Sequence, residues 1–213
     1  MHHRFPALLL TAAALVPLHP LEGPAGERAV SPVYSEVTLE NFETTPYTDA
    51  QISCAKPGGR TAGLAIRDRL PATAESRKYL EARMHTGGDD VFVITPAKEL
   101  IIEGHCRSIS LYAYGIKTDG TLSFLLMDTG GRSHLLRAGR VNFSGWRKIE
   151  VRLGNTISQA DDFLNQGKTM KILQVRFHTA GPEASTRRWE YLYLDDITAT
   201  ARDRYLDRRS EEW

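Results

Sequence analysis

From Val37 onward the chain is a succession of short runs in which apolar and polar residues alternate every second position. The runs are "VTLENF", "LAIRDRL", "YLEARMH", "VFVITP", "ELIIEG", "RSISLYAYG", "TLSFLLMD", "SHLLRA", "WRKIEVRL", "MKILQVRFHT" and "WEYLYLDDITATA". Successive side chains of a strand point to opposite faces, so this period marks strands with one buried and one wetter face. The turn signals "TGGDD", "KTDG", "DTGGR" and "TAGPE" separate them. In "YLEARMH", Leu80, Ala82 and Met84 alternate with Glu81 and Arg83, which fits a strand better than a helix over 74–84. One short helix is expected around Ser158 to Gln166, where Ser158 and Asp161 resemble a capping box. Neither βαβ alternation nor an internal repeat is present. The pattern predicts an all-β domain over 37–201, an antiparallel jelly-roll-like β-sandwich with one or two short helices.

The 213 residues are 41% hydrophobic and 25% charged, enough for one domain with a real core. Basic and acidic residues nearly cancel, 27 against 26, which leaves no footprint for nucleic acid or an anionic membrane. At the N-terminus "MHHR" precedes the apolar "FPALLLTAAALVPL", and "GPA" offers small residues for cleavage near Ala25. Residues 1–25 therefore read as a signal peptide, too short and proline-marked for a transmembrane helix. No cysteine follows to carry a lipid anchor. Residues 26–36 are expected to be a flexible lead-in, and the neutral but highly charged "RDRYLDRRSEEW", 202–213, a C-terminal tail. The expected address is the periplasm.

Catalytic constellations are sparse. The sequence contains no GxSxG, HExxH, P-loop or dinucleotide fingerprint. His85, His105, His134 and His178 are scattered. The pairs Asp89–Asp90, Asp161–Asp162 and Asp195–Asp196 are chain neighbours, which a regular strand sends to opposite faces. The chain reads as a non-enzyme without a cofactor. Cys54 and Cys106 form either a disulfide, contributing about 4 kcal/mol in the chain-entropy model, or two buried thiols. A structural calcium site is a further candidate: Glu43 on the first strand and Asp195 or Asp196 on the last could meet if those strands run side by side. The alternative is a solvated strand end.

Aromatic placement is more informative. In "FSGWRKIEVRL", Ile149, Val151 and Leu153 share one face, and parity sends Trp146 to the charged side with Lys148, Glu150 and Arg152. Tyr112 and Tyr114 lie opposite Ile109, Leu111 and Ala113; Trp189, Tyr191 and Tyr193 lie opposite Leu192 and Leu194. Three strands thus carry aliphatic residues inward and rings outward. Trp and Tyr suit surfaces that are apolar yet hydrogen-bond at one end. Loops could cover these rings, a sugar could stack on them, or another protein could pack there.

Taken in order, "VTLENFE", "RSISLYAYGIKTDGTLSFLLMD", "LLRAGRVNFSGWRKIEVRL" and "WEYLYLDDITA" resemble the flagellar filament outer layer protein family (FlaA) of spirochaetes. The resemblance spans roughly Val37 to Ala201. Pro46 to Pro71 and the two cysteines stand outside that plan, which suggests a divergent branch. It implies a galactose-binding or carbohydrate-binding-module-like sandwich, export to the periplasm, and a non-enzymatic role. The implied partners are the flagellin core or other sheath proteins, with effects on filament shape and motility. On that reading Tyr112, Tyr114, Trp146, Trp189, Tyr191 and Tyr193 are interface candidates. The rival reading is a periplasmic carbohydrate-binding module using the same aromatic face; a jelly-roll glycan hydrolase would need two converging carboxylates.

Overall fold

A computed structural model describes residues 34–56, 61–116, 119–159, 168–180 and 188–203. The signal segment, most of the lead-in, the expected 158–166 helix beyond Gln159, Asp161–Asp162 and the tail beyond Asp203 lie outside the described residues.

Among the described residues, twelve strands form two antiparallel sheets. They are β1 (Ser35–Glu40), β2 (Ile52–Cys54), β3 (Ala62–Arg67), β4 (Tyr79–Thr86), β5 (Val91–Ile94) and β6 (Leu100–Ile102). Then come β7 (His105–Ile116), β8 (Gly120–Met127), β9 (Ser133–Val141), β10 (Ser144–Arg152), β11 (Met170–His178) and β12 (Arg188–Arg202). Sheet 1 has the order β10-β7-β12-β4-β3, with β1 also on β12; sheet 2 has the order β2-β5-β11-β8-β9, with β6 also on β11. The expected antiparallel β-sandwich is therefore found.

The core is the sum of the inward parities. Leu80, Ala82, Met84, Ile109, Leu111, Ala113, Leu192 and Leu194 of sheet 1 are essentially inaccessible, as are Phe92, Leu122, Phe124, Leu126 and Phe177 of sheet 2. Phe92, Phe177 and Leu122 stand abreast on three adjacent strands. Each such Leu, Ile, Met or Phe side chain contributes about 1.5–3 kcal/mol by leaving water.

Turn chemistry closes the strands. At "DTGGR" the Asp128 carboxylate accepts the N–H groups of Gly130 and Arg132, both at 2.9 Å, and Gly131 takes φ +80°. That conformation favours glycine because a Cβ would clash.

The first strand begins at Ser35 and the last runs through Arg202. The polar stretch before Gly63 holds a short strand, β2, and one 3-10 turn, Asp49–Gln51, capped by Thr48 with Gln51 reaching back. Asp49 Oδ1 accepts the Leu64 N–H at 2.8 Å, occupying part of the outer edge of β3.

Finally, Cys54 and Cys106, the disulfide candidates, are both free thiols in this structure. Cys54 lies beside Phe92 and hence near Phe177, whereas Cys106 follows β6, which pairs at Met170. Seven residues of β11 separate those positions, about 23 Å of strand. A disulfide needs Cα atoms within about 7 Å.

Candidate functional site

The candidate surface is the outer face of sheet 1. Gly145 takes φ +89°, yet β10 stays in continuous register with β7, so Trp146 sits directly beside Tyr114. Tyr114 in turn sits beside Tyr193 of β12. Ring centroids lie 5.5 Å apart for Tyr114–Trp146 and for Tyr114–Tyr193. Tyr79 completes the group, 5.7 Å from Trp146 and 5.3 Å from Tyr193, both edge to face. Such pairs are worth about 0.5–1.5 kcal/mol beyond the area they bury. Tyr79 had a readable signal, since parity in "YLEARMH" sets it with Glu81 and Arg83 on the outer face.

The loop between β3 and β4 lies over this cluster. Trp146 Nε1 donates to Leu70 O at 3.0 Å, and Tyr79 is only 5% exposed. The outward rings are thus partly consumed inside the chain. Tyr114, Trp146 and Tyr193 are half-buried.

Trp189 and Tyr191 are different. Trp189 is 48% exposed and Tyr191 37%, on the stretch of β12 that pairs with β4. Trp189 has one internal ring neighbour, His85, at 5.1 Å. Tyr112 belongs elsewhere: Lys148 Nζ lies 6.0 Å over its ring and also holds Glu36 at 2.7 Å.

Beside Tyr112 is an acidic hollow of about 480 Å³, lined in part by Glu36, Glu43, Glu75 and Asp196. It arises from a bulge: β12 gains one residue against β7 between Asp195 and Thr198, and Asp196 takes φ +42°. A bulge breaks the strict alternation of faces. Asp195 consequently faces Ser76 Oγ at 2.6 Å in the covering loop, while Asp196 opens on the hollow. Burial first, and then the charge of Asp196, push the Asp195 carboxyl up to about 6. Burial and the neighbouring Glu43 and Glu36 likewise raise Asp196. The expectation that these neighbours diverge as in a regular strand fails here.

The candidate calcium ligands Glu43, Asp195 and Asp196 are brought near one another but do not converge. Glu43 Oε1 accepts the N–H groups of Arg77 and Lys78 at 2.6 and 2.9 Å, and Asp195 is turned to the loop. Among the described residues, no group of three His, Cys, Asp or Glu is placed to hold a metal ion. The other buried acids include Asp90 and Glu190. Asp90 Oδ2 accepts from Thr86 Oγ1 at 2.9 Å, and Glu190 is clamped by Arg188 at 2.7 Å. Both are engaged in the framework.

With this geometry in place, comparison with known proteins is informative. The profile of the flagellar filament outer layer protein FlaA family matches residues 100–210, from β6 past the end of β12. The chain belongs to that family. A flagellar filament outer layer-like protein of Brachyspira hyodysenteriae is 24% identical over 204 residues, 90% of this chain and 89% of its own length. Among solved structures, that of CtCBM11 has a TM-score of 0.50 at 12% identity, covering 81% of this chain and 98% of that one. A family 11 carbohydrate-binding module from Clostridium thermocellum, in complex with a mixed-linked tetrasaccharide, has a TM-score of 0.47 at 14% identity, covering 82% and 100%. At such identities the structural likeness shows the β-sandwich fold alone. For this FlaA-family chain, the stretch from "RSISLYAYG" to "YLYLDDI" that carries the resemblance also builds the aromatic face.

Proposed function

We propose that this chain is a non-enzymatic component of the outer layer of the periplasmic flagellar filament. It docks on the flagellin core or a neighbouring sheath protein through the outer face of sheet 1, and so contributes to filament shape and motility. Residues 1–25 direct its export. The observation that carries the reading is the exposed pair Trp189 and Tyr191 on a face otherwise stiffened by its own ring cluster, in a member of this family. A rigid sheet presenting Trp and Tyr is suited to an interface core, where such anchors often cost about 2 kcal/mol or more on truncation.

A second reading, carbohydrate binding, has one observation in its favour. A groove of about 580 Å³ beside the ring cluster is lined by Tyr79, Tyr193, Arg67, Asp68 and Glu81, the mixture of rings and polar groups that sugars use. It is weakened because Tyr79 is buried and spends its ring on Trp146 and Tyr193.

The test is co-sedimentation with purified periplasmic flagella, run beside a glycan-binding screen. The double variant W189A/Y191A should keep its melting temperature and lose filament association. Undiminished association by a folded W189A/Y191A would overturn the docking face. Glycan binding that disappears on changing Asp68 and Arg67 would install the second reading.

A further inference from the structure

The outer face of sheet 2 has a different chemistry. None of its described residues is Trp, Tyr or Phe. A groove of about 600 Å³ crosses β8, β9 and β11, and Arg137, Arg140, Arg176 and His178 line it. Its two carboxylates are already engaged at the rim: Asp119 with Arg140 at 2.6 Å, and Asp89 with His178 at 2.8 Å. Arg176 Nε donates to the neutral Gln174 at 2.9 Å. Arg137 makes no ion pair among the described residues, so the groove carries uncompensated positive charge. Beside it Leu135 is 59% exposed, the most exposed large apolar side chain on the described surface.

The outermost strand under this groove is an edge strand. β9 ends the order of sheet 2, and β8 is its ladder partner. Asp128 N–H donates to Arg132 O at 2.9 Å, in register with the pairs Met127–Ser133 and Leu125–Leu135. Antiparallel ladders alternate bonded and non-bonded pairs. The backbone N–H and C=O of Ser133 and Leu135 therefore point away from β8. Edges are ordinarily guarded. Asp49 guards β3, and β10 carries Lys148, Glu150 and Arg152 along its exposed side. The formally charged side chains of β9 itself, Arg137 and Arg140, are both positive.

We propose that β9 accepts an extended acidic segment of a partner polypeptide, which pairs with the strand edge while its carboxylates meet Arg137 and an apolar residue covers Leu135. Strand addition of this kind takes affinity from main-chain hydrogen bonds and selectivity from alternate side chains. The open peptide groups select a polypeptide over a glycan. Guanidinium forks match carboxylates bidentately and select an acidic sequence over a basic one. The surface lies on the sheet opposite the aromatic face, so one copy can hold two partners at once.

The probe is a fluorescein-labelled peptide of about seven residues alternating glutamate and valine, the length of such a strand, with a lysine–valine peptide and polygalacturonate as the other arms. Anisotropy at low ionic strength should show the acidic peptide binding and the lysine peptide not. R137E should weaken it at least about tenfold, the effect of losing one good charge pair. L135P, which removes an outward N–H and leaves Arg137, should weaken it comparably; unchanged melting temperatures certify both variants as folded. Absence of acidic-peptide binding, equal binding of the lysine peptide, undiminished binding by either folded variant, or tighter binding of polygalacturonate would each overturn the proposal. None of these readouts involves the filament or Trp189, so they stand apart from the docking face above.

Discussion

The indole N–H of Trp146 donates to the carbonyl oxygen of Leu70 at 3.0 Å, joining the edge strand β10 to the loop between β3 and β4 on the outer face of sheet 1. Together with the edge contacts to Tyr79 and Tyr114, this makes Trp146 a fastener of the covering loop. The W146A variant should lose about 2–3 kcal/mol in urea unfolding, below the 3–5 typical of fully buried Trp because the ring is half-exposed. W146F keeps a ring and loses the hydrogen bond, at about 1 kcal/mol. A W146F protein that melts normally but no longer binds filaments would instead make Trp146 an interface anchor.

A second fastener is Asp128, buried in the β8–β9 turn. Burial raises its pKa, but His134 Nε2 at 2.8 Å and the N–H groups of Arg132, Ser158 and Gly130 outweigh it and hold the carboxyl below its ordinary range. D128A leaves several part-buried donors without their acceptor and should cost about 1–3 kcal/mol. Because the folded pKa is depressed, the carboxylate stabilises above pH 4 and that contribution fades as pH falls further. A D128A melting curve matching wild type at neutral pH would contradict this role.

These two residues mark how far the sequence can be read. Trp146 was assignable to the outer face by parity, because β10 keeps unbroken register with β7. So were Tyr114 and Tyr193. Parity says nothing about what lies above a face, so the loop over the rings, and the separation of Trp189 and Tyr191 from the covered group, required three dimensions. It also fails at a bulge. The extra residue at Asp195–Asp196 breaks the alternation that regular spacing predicts, and a single sequence carries no periodic signal for one inserted position. Cys54 and Cys106 illustrate a different blindness: parity can turn both toward the core, but their distance along the sandwich depends on which strand neighbours which.

The thiols themselves make a simple prediction. Burial pushes the Cys106 thiol up to about 12, and its Sγ donates to Ser108 O at 3.3 Å; Cys54 is half-buried at the end of the short β2. Since the thiolate is the reactive species, iodoacetamide at about pH 8 should modify Cys54 and spare Cys106 in the folded protein, and modify both in denaturant. Mass spectrometry without reductant counts the additions. No addition in denaturant would mean a bridge, and would require rearranging both ends of the sandwich.

The bulge carries the last prediction. Asp195 is inaccessible, its Oδ2 2.6 Å from Ser76 Oγ and its Oδ1 accepting the Asp196 N–H at 2.9 Å. Burial, and next to it the Asp196 charge, raise the carboxyl from 3.8 to about 6 despite these bonds. Between those values the folded chain holds a proton that the unfolded chain has released. Stability therefore falls as pH rises from about 4 to 6, by at most about 3 kcal/mol from this group. Asp196, raised in the same direction, adds to the slope. D195N removes the titration while keeping the shape. Its amide can donate to Ser76 Oγ, and that hydroxyl can turn to Lys78 O, 3.0 Å away. Urea midpoints measured from pH 4 to pH 7 should decline less steeply in D195N than in wild type, with the variant at least as stable at pH 7. Parallel pH profiles for the two proteins would show that the buried acid is not straining the loop closed over the ring cluster.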